Sequence, residues 1–297
     1  MDSMTGYVMP MEPPTNGWDI HCHTAFSDGT EAPAVLAEQS KAVGLKGVSI
    51  SDHDTTAGWP QAEAAARKVG LPLLRGTEIT ATDDGVSVHM LGFQYDPTNQ
   101  CIVDLFARTR QARLRRTQRM VELMSKDLPI SWESVLAQVK EGGNTTIGRP
   151  HIADALVAAG VYQNRSEAFA DAVSASSKYY IPTPSPTARE VVAAVKGADG
   201  VILIAHAGDL SRNRRLLSDE QIEALIAEGL DGLEVWHRGN LPEQRERLLG
   251  ICARYHLLVT GGSDWHGKGK PNLLGENLTD EATVAEIVRR GALPLYR

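Results

Sequence analysis

Residues 19–30 read DIHCHTAFSDGT. Ile20 leads into two histidines spaced two apart, and in an extended segment a period of two places His21 and His23 on one face. Cys22, between them, is then turned away, which suits packing better than ligation or nucleophilic attack. Working outward, short β-branched or apolar runs recur: GWDI (17–20), KGVSIS (46–51), PLLRGTEI (72–79), VSVHMLGF (86–93), GVILIAH (200–206), DGLEVWH (231–237) and LLVTGGSD (257–264). Helical patterns separate them, and strand–helix alternation implies an α/β fold with a mostly parallel sheet or barrel.

The alternation lapses once. Between about Cys101 and Ile181 the text is helical: DLFARTRQARLRRTQRMVELMSK (104–126), SWESVLAQVKE (131–141), RPHIADALVAAG (149–160) and SEAFADAVSA (166–175). The expected organisation is therefore an N-terminal extension over 1–16, a barrel built from 17–100 and 182–297, and an all-helical insertion over 101–181. Gly142, Gly143 and Asn144 should break the insertion internally, while Pro182, Pro184 and Pro186 mark an extended return to the barrel. Thr187 followed by Glu190 reads as a capping box that opens the next helix.

At 297 residues, 42% hydrophobic and 23% charged, the chain has the composition of an ordinary globular protein. It lacks an apolar run of membrane-spanning length and the pattern of a signal peptide, so no membrane association and a cytoplasmic location are expected. Cys22, Cys101 and Cys252 are odd in number and far apart, which fits free thiols. A net charge of −7 argues against stable binding of duplex nucleic acid, so any phosphate recognition should be local.

Six of the nine histidines fall at predicted strand ends or beside them. Asp264 and His266 repeat the spacing of His21 and His23 at the end of another strand, with Trp265 turned away. Asp28 follows in SDGT, His53 ends a strand in SISDHDT, Glu78 lies in RGTEI, and His89 and His206 complete the candidate set. In parallel β/α architectures the carboxyl ends of the strands are where sites are assembled. An all-nitrogen and oxygen donor set with a carboxylate able to bridge suits two or three divalent ions such as manganese, iron or zinc. Closely spaced metals suit hydrolysis of a phosphate ester by metal-bound water. No nucleophile elbow and no Walker loop is present to compete with that reading.

The segments DIHCHTAFSDGT, SISDHDT, GTEI, VHMLGF, IAHAG and GGSDWH resemble, in order, the motifs of the PHP (polymerase and histidinol phosphatase) domain, over about residues 18–267. The resemblance implies a distorted, TIM-like (β/α)7 barrel carrying a trinuclear manganese, iron or zinc cluster. It implies that His21, His23, Glu78 and Asp264 hold a first metal, that Glu78 bridges to a second held by His89 and His206, and that Asp28, His53 and His266 hold a third. The attacking hydroxide would bridge the first two, with Asp264 or a nearby histidine handling its proton.

The insertion is where substrate recognition is expected, because it leaves the barrel after His89 and returns before His206. In ARTRQARLRRTQRM (107–120), Arg108, Arg115 and Arg119 share one helical face and Arg113 and Arg116 an adjoining one; either face could meet phosphate or simply face water. In GRPHIAD (148–154), Arg149 offers a bidentate phosphate fork and His151 a donor at a helix start, set against a capping role. An arginine-x-histidine segment in a helical insertion, with arginines like Arg113 and Arg116, resembles the 3′,5′-nucleotide bisphosphate phosphatases and 5′–3′ exoribonucleases of that family. A small phosphorylated substrate, a 3′-phosphorylated nucleotide or a short oligonucleotide is thereby implied. One departure stands out: AHAGD (205–209) puts Asp209 where those relatives often carry a phosphate-binding arginine. Arg212, Arg214, Arg215 or Arg238 are the candidates to compensate, and His237, at the end of another strand, to donate to a phosphate or a leaving group. A cyclic phosphate phosphodiesterase, a histidinol phosphate phosphatase and a noncatalytic polymerase-accessory module are the alternatives.

Overall fold

The computed structural model describes residues 7–141, 145–211 and 215–297. Gly142, Gly143 and Asn144 lie outside the described residues, as do Arg212, Arg214 and the first six residues of the expected extension.

Seven strands, β1 (Trp18–Asp19), β2 (Gly47–Ile50), β3 (Leu73–Asp83), β4 (Val86–Phe93), β5 (Val201–Ile204), β6 (Gly232–Trp236) and β7 (Leu258–Gly261), form one sheet in chain order. β1, β2 and β3 run parallel, as do β5, β6 and β7, while β4 is antiparallel to both neighbours. The expectation of a mostly parallel sheet holds with this one reversal. Its cause is local: Asp84 (φ 43°) and Gly85 (φ 77°) are both left-handed, as a two-residue hairpin turn requires. The chain therefore doubles back from β3 instead of crossing over through a helix.

The sheet curls until its two edges meet. Cys22, just past β1, bridges Trp265, just past β7, and the His23 N–H donates to the Trp265 carbonyl at 2.8 Å. Strand alternation divides the buried side chains between two faces. Leu73, Ile202 and Val259 pack with Cys22 and Trp265 in the large cluster between sheet and helices. Their neighbours Leu74, Leu203 and Leu258 belong to a second cluster with Leu91, Phe93 and Ile287. Cys22 and Trp265 do point away from the flanking histidines, as their spacing predicts.

The helices are α1 (Pro33–Ala42), α2 (Trp59–Val69), α3 (Gln100–Met124), α4 (Trp132–Leu136), α5 (Arg149–Ala158), α6 (Arg165–Ala170), α7 (Ala188–Gly197), α8 (Asp219–Ala227), α9 (Pro242–Tyr255) and α10 (Glu281–Arg290). α7 opens with the expected capping box: Thr187 Oγ1 accepts from the Glu190 N–H and Glu190 Oε2 from the Thr187 N–H. α3 is shared between two cores. Its first half buries Ile102, Leu105 and Phe106 with the barrel, whereas Met120, Val121 and Met124 join Ile152, Leu156, Val173 and Tyr179 in a third cluster made by α3 to α6 and the segment after them. The same periodicity sorts the arginines of α3. Arg108, Arg115 and Arg119 are exposed and Arg119 pairs with Glu122, while Arg113 and Arg116 turn inward. Among the described residues no helix is long and apolar enough to cross a membrane.

Candidate metal centre

Each strand delivers at least one titratable side chain to the same end of the barrel. His21 and His23 follow β1, His53 follows β2, Glu78 lies in β3, His89 in β4, His206 follows β5, His237 follows β6, and Asp264 and His266 follow β7. The reversal of β4 is what admits His89: paired with Thr80, it sits in the first half of its strand, and that half lies at the barrel's carboxyl end. Asp54, His206 and Asp264 hold left-handed backbone (φ 54°, 34° and 55°), a conformation that costs non-glycine residues energy and persists at sites whose surroundings impose it.

Glu78 is the hub. Its Oε1 lies 2.9 Å from both His89 Nδ1 and His206 Nε2. Its Oε2 lies 3.0 Å from His23 Nε2 and 3.4 Å from His21 Nε2 and His53 Nδ1. One carboxylate thus turns an oxygen to each of two imidazole sets, the arrangement a bridging ligand needs. Asp264 Oδ1 faces His23 and His21 at 3.4 and 3.5 Å. Asp28 receives His266 Nε2 at 3.1 Å, His23 Nδ1 at 3.6 Å and His53 Nε2 at 3.8 Å.

Three groups have donor atoms mutually within 4.8 Å: His21, His23, Glu78 and Asp264; His23, Asp28, His53 and His266; and His53, Glu78 and His89. Eight of the nine candidate ligands fall in these groups, with His23, His53 and Glu78 each in two, and the ninth, His206, joins them through its 2.9 Å approach to Glu78 Oε1. Among the described residues, His21 Nε2, His23 Nε2, His53 Nδ1, His266 Nε2 and Glu78 Oε2 are buried with no partner in hydrogen-bonding geometry, close as some of them lie to one another. A buried polar atom so placed costs about 1–3 kcal/mol. Five that face one another, all nitrogen or oxygen, fit divalent cations.

The charges agree. Burial alone would raise Glu78 and Asp28, yet both are held well below the usual carboxylate range, Glu78 by His89, His53 and His21 and Asp28 by His266 and His53. Burial opposes the charged form of His21 and His23, but Glu234 and Glu78 lift His21 well above its ordinary value, and Asp264 and Glu78 lift His23 to about 9. His53 is pushed well down, and His266 to about 4, chiefly by burial. The carboxylates around His21 and His23 thus favour positive charge at the place where a metal ion would supply it.

A surrounding layer of acids fixes these rings, and sequence reasoning missed it. Glu234 Oε1 meets His21 Nδ1 at 2.9 Å while its Oε2 accepts from the His206 N–H at 2.6 Å. Asp52 accepts from Thr24 N, Thr24 Oγ1 and Ser27 Oγ, which shapes the loop between His23 and Asp28. Asp54 accepts from Thr80 and from Arg113, and Asp19 from the Ser263 and Gly275 N–H groups. The available signal was a carboxylate one or two residues from a candidate ligand, or, for Glu234, an acid inside an apolar strand.

A cavity of about 830 Å³ opens over this cluster. Arg113, Arg116, Arg149, Phe169 and Tyr180 line one wall, and Val86, Val88, Leu217 and Ile222 contribute to another. Arg149 stacks on Phe169 and Tyr180 and donates to the Val173 carbonyl; Arg116 stacks on Tyr180 and donates to the Ile181 carbonyl. Burial and then Arg149 lower Arg116 to about 10, and burial lowers Arg149. Arg113 is partly committed, donating to Asp54 and Thr80.

His151 is placed otherwise than the phosphate-donor reading expects. Its Nδ1 accepts from the Gly148 N–H at the start of α5, and it is buried outside the cavity lining, so the capping role is the one its geometry supports. Arg215 reaches outward to Asp84. Arg238 lines the cavity but is engaged with Asn272 and Glu276. His237 accepts from the Gly239 N–H through Nδ1, so the neutral ring carries its proton on Nε2, 4.0 Å from Asp264 Oδ2. Lys270, which no motif flagged, lies 2.8 Å from that same oxygen. Asp209 accepts from Ser211 at the cavity edge.

A family model described as the PHP domain matches residues 19–181. The chain is 28% identical over 269 residues to a 5′-3′ exoribonuclease of Haemophilus influenzae, covering 89% of this chain and 95% of that one. It is 26% identical over 253 residues to a 3′,5′-nucleoside bisphosphate phosphatase of Chromobacterium violaceum, covering 85% and 88%. A crystal structure of a provisionally assigned metal-dependent phosphoesterase from Bifidobacterium adolescentis matches with a TM-score of 0.94 and 73% identity, over 95% of this chain and 98% of that one.

Proposed function

The chain belongs to the PHP domain family, and on that premise we propose that it is a metal-dependent phosphoesterase that hydrolyses 3′-phosphorylated nucleotides or trims short RNA from the 5′ end. The observation that carries the choice of substrate is the wall of Arg113, Arg116 and Arg149 beside the ligand cluster. Among the described contacts of these three guanidinium groups there is one carboxylate, Asp54, and Arg116 and Arg149 are both lowered, chiefly by burial. Buried cations short of counter-charge suit an anionic ligand, and guanidinium forks suit phosphate. A substrate with a phosphate at each end of a ribose offers one to the cluster and one to this wall.

We assign two or three divalent ions, with His21, His23, Glu78 and Asp264 holding the first, Glu78, His89 and His206 the second, and Asp28, His53 and His266 the third. When bound, such ions acidify water at neutral pH and neutralise charge on phosphoryl and leaving oxygens. The chain's own groups do the rest. Arg149 and Arg116 hold the distal phosphate, Tyr180 and Phe169 keep their guanidinium planes in place, and His237 Nε2–H donates to a phosphoryl or leaving oxygen beside Asp264.

Phosphate release from adenosine 3′,5′-bisphosphate and adenosine 5′-monophosphate, compared with ring opening of a five-membered cyclic phosphate, tests the reading with manganese-loaded protein. The bisphosphate should be preferred, and Arg149→Ala should erase most of that preference by raising KM about 10- to 100-fold, the loss expected for one charged hydrogen-bonding group. Equal turnover of all three by the wild type, or an unaltered preference in the variant, would refute it.

A further inference from the structure

Lys270 stands in the loop that follows β7, and both flanks of its position are anchored. Before it, the Lys268 N–H donates to Thr30 Oγ1 across a glycine turn in which Gly267 has φ 64°. After it, Asn272 Nδ2 donates to the Ser263 carbonyl. The side chain is 30% exposed, lines the main cavity, and brings Nζ to 2.8 Å from Asp264 Oδ2. The other oxygen of that carboxylate, Oδ1, is the one that faces His21 and His23. Lys270 therefore grips the side of Asp264 turned away from those imidazoles, next to His237 Nε2. An ammonium carries three N–H donors, and Asp264 takes one.

From this placement we propose that Lys270 is a substrate-binding catalytic residue, its ammonium holding a non-bridging oxygen of the phosphoryl group under attack. The inference rests on the phosphoesterase reading above. A phosphoryl group lodged at the ligand cluster has oxygens that the cluster does not cover, and negative charge accumulates on them as the ester breaks. A cation with spare donors, fixed by an anchored loop and steadied by one carboxylate, is the kind of group that stabilises such charge without reorganising. The competing role, neutralising Asp264 so that it stays in place, would act on metal retention and leave phosphate affinity alone.

The test uses full-length, manganese-loaded protein with Lys270→Met and Lys270→Arg, inorganic phosphate as the calorimetric probe, and bound manganese per chain measured alongside kcat and KM. In Lys270→Met the dissociation constant for phosphate should rise about 10- to 100-fold, the range for losing one charged hydrogen bond. Bound manganese should match the wild type, and Lys270→Arg should recover most of the phosphate affinity. Unchanged phosphate affinity in Lys270→Met would overturn the proposal, and so would a loss of manganese in step with the loss of phosphate. Wild-type protein that binds phosphate in this Lys270-dependent way yet cleaves no phosphate ester would keep the phosphate contact of Lys270 but overturn its catalytic role together with the functional reading.

Discussion

Replacing Glu234 by Gln changes no volume and removes no heavy-atom contact, yet it should weaken metal binding sharply. The carboxylate serves two donors at once, the His206 N–H at 2.6 Å and His21 Nδ1 at 2.9 Å, and it is fully buried. A glutamine has one oxygen to give. If its amide nitrogen turns to His206, two N–H groups oppose each other in a dry site, at a cost of about 1–3 kcal/mol for the unsatisfied donor. If it turns to His21, Nδ1 must accept, so the neutral ring carries its proton on Nε2, the atom needed for ligation. Either way the cost falls on the ligand set, and changes of this kind in the layer behind a metal ligand typically reduce metal affinity or activity about 10- to 100-fold. Competition against a chelator, with the thermal midpoint followed in parallel, measures it. A folded Glu234→Gln protein that binds manganese within about twofold of wild type, well short of that loss, would show that the His21 tautomer and the His206 backbone are not held in this way.

Gly262→Ala should do comparable harm for a steric reason: its Cβ would lie 2.3 Å from His21 Cβ and 2.7 Å from Glu234 Oε1, so metal content per chain should fall in a protein that still folds, and full occupancy would contradict the packing. Metal-free protein should show a bell-shaped pH dependence of stability. His266 (folded pKa about 4, ordinary value 6.5) contributes stability above pH 6.5 that is lost as pH falls towards 4, and His23 (about 9) contributes stability complete below pH 6.5 that is lost as pH rises through 9. Saturating manganese should flatten the alkaline limb, because the metal replaces the protons there; denaturant titrations across pH showing the same limb with and without metal would refute that assignment.

The ligand cluster was legible because nearly every member sits where a strand ends, and strand ends are marked by an apolar run giving way to Gly, Asp, Ser or Thr. The reversal of β4 was harder, since VSVHMLGF alternates equally well in either direction; the clue lay in Asp84–Gly85, whose paired left-handed conformations make a hairpin. Helical periodicity placed Arg113 and Arg116 on one face and Arg108 and Arg119 on another, but a period cannot say which face meets a neighbour. His151 shows the same limit from the other side, for a histidine at a helix start reads alike whether it caps its own backbone or reaches a ligand. Glu234 and Lys270 belong to no spacing. They become visible only once β6 and the loop after β7 lie against His21 and Asp264, a relation made by the fold and not by the chain locally.

The barrel's seam has a mechanical consequence. Cys22 and Trp265, the residues that join its first and last strands, are flanked by His21 and His23 on one edge and by Asp264 and His266 on the other. An ion shared between these edges spans nearly the whole contour of the chain. Closing so long a loop removes much of the freedom of the unfolded polymer, in the manner of a cross-link, even though the entropy grows only slowly with length. Stripping the ion should therefore let the cylinder unzip along one line, with the amide hydrogens of His23 and Trp265 exchanging ahead of those in β5 and β6. The same atoms that await a substrate would then also serve as the clasp that keeps the two ends of the sheet together.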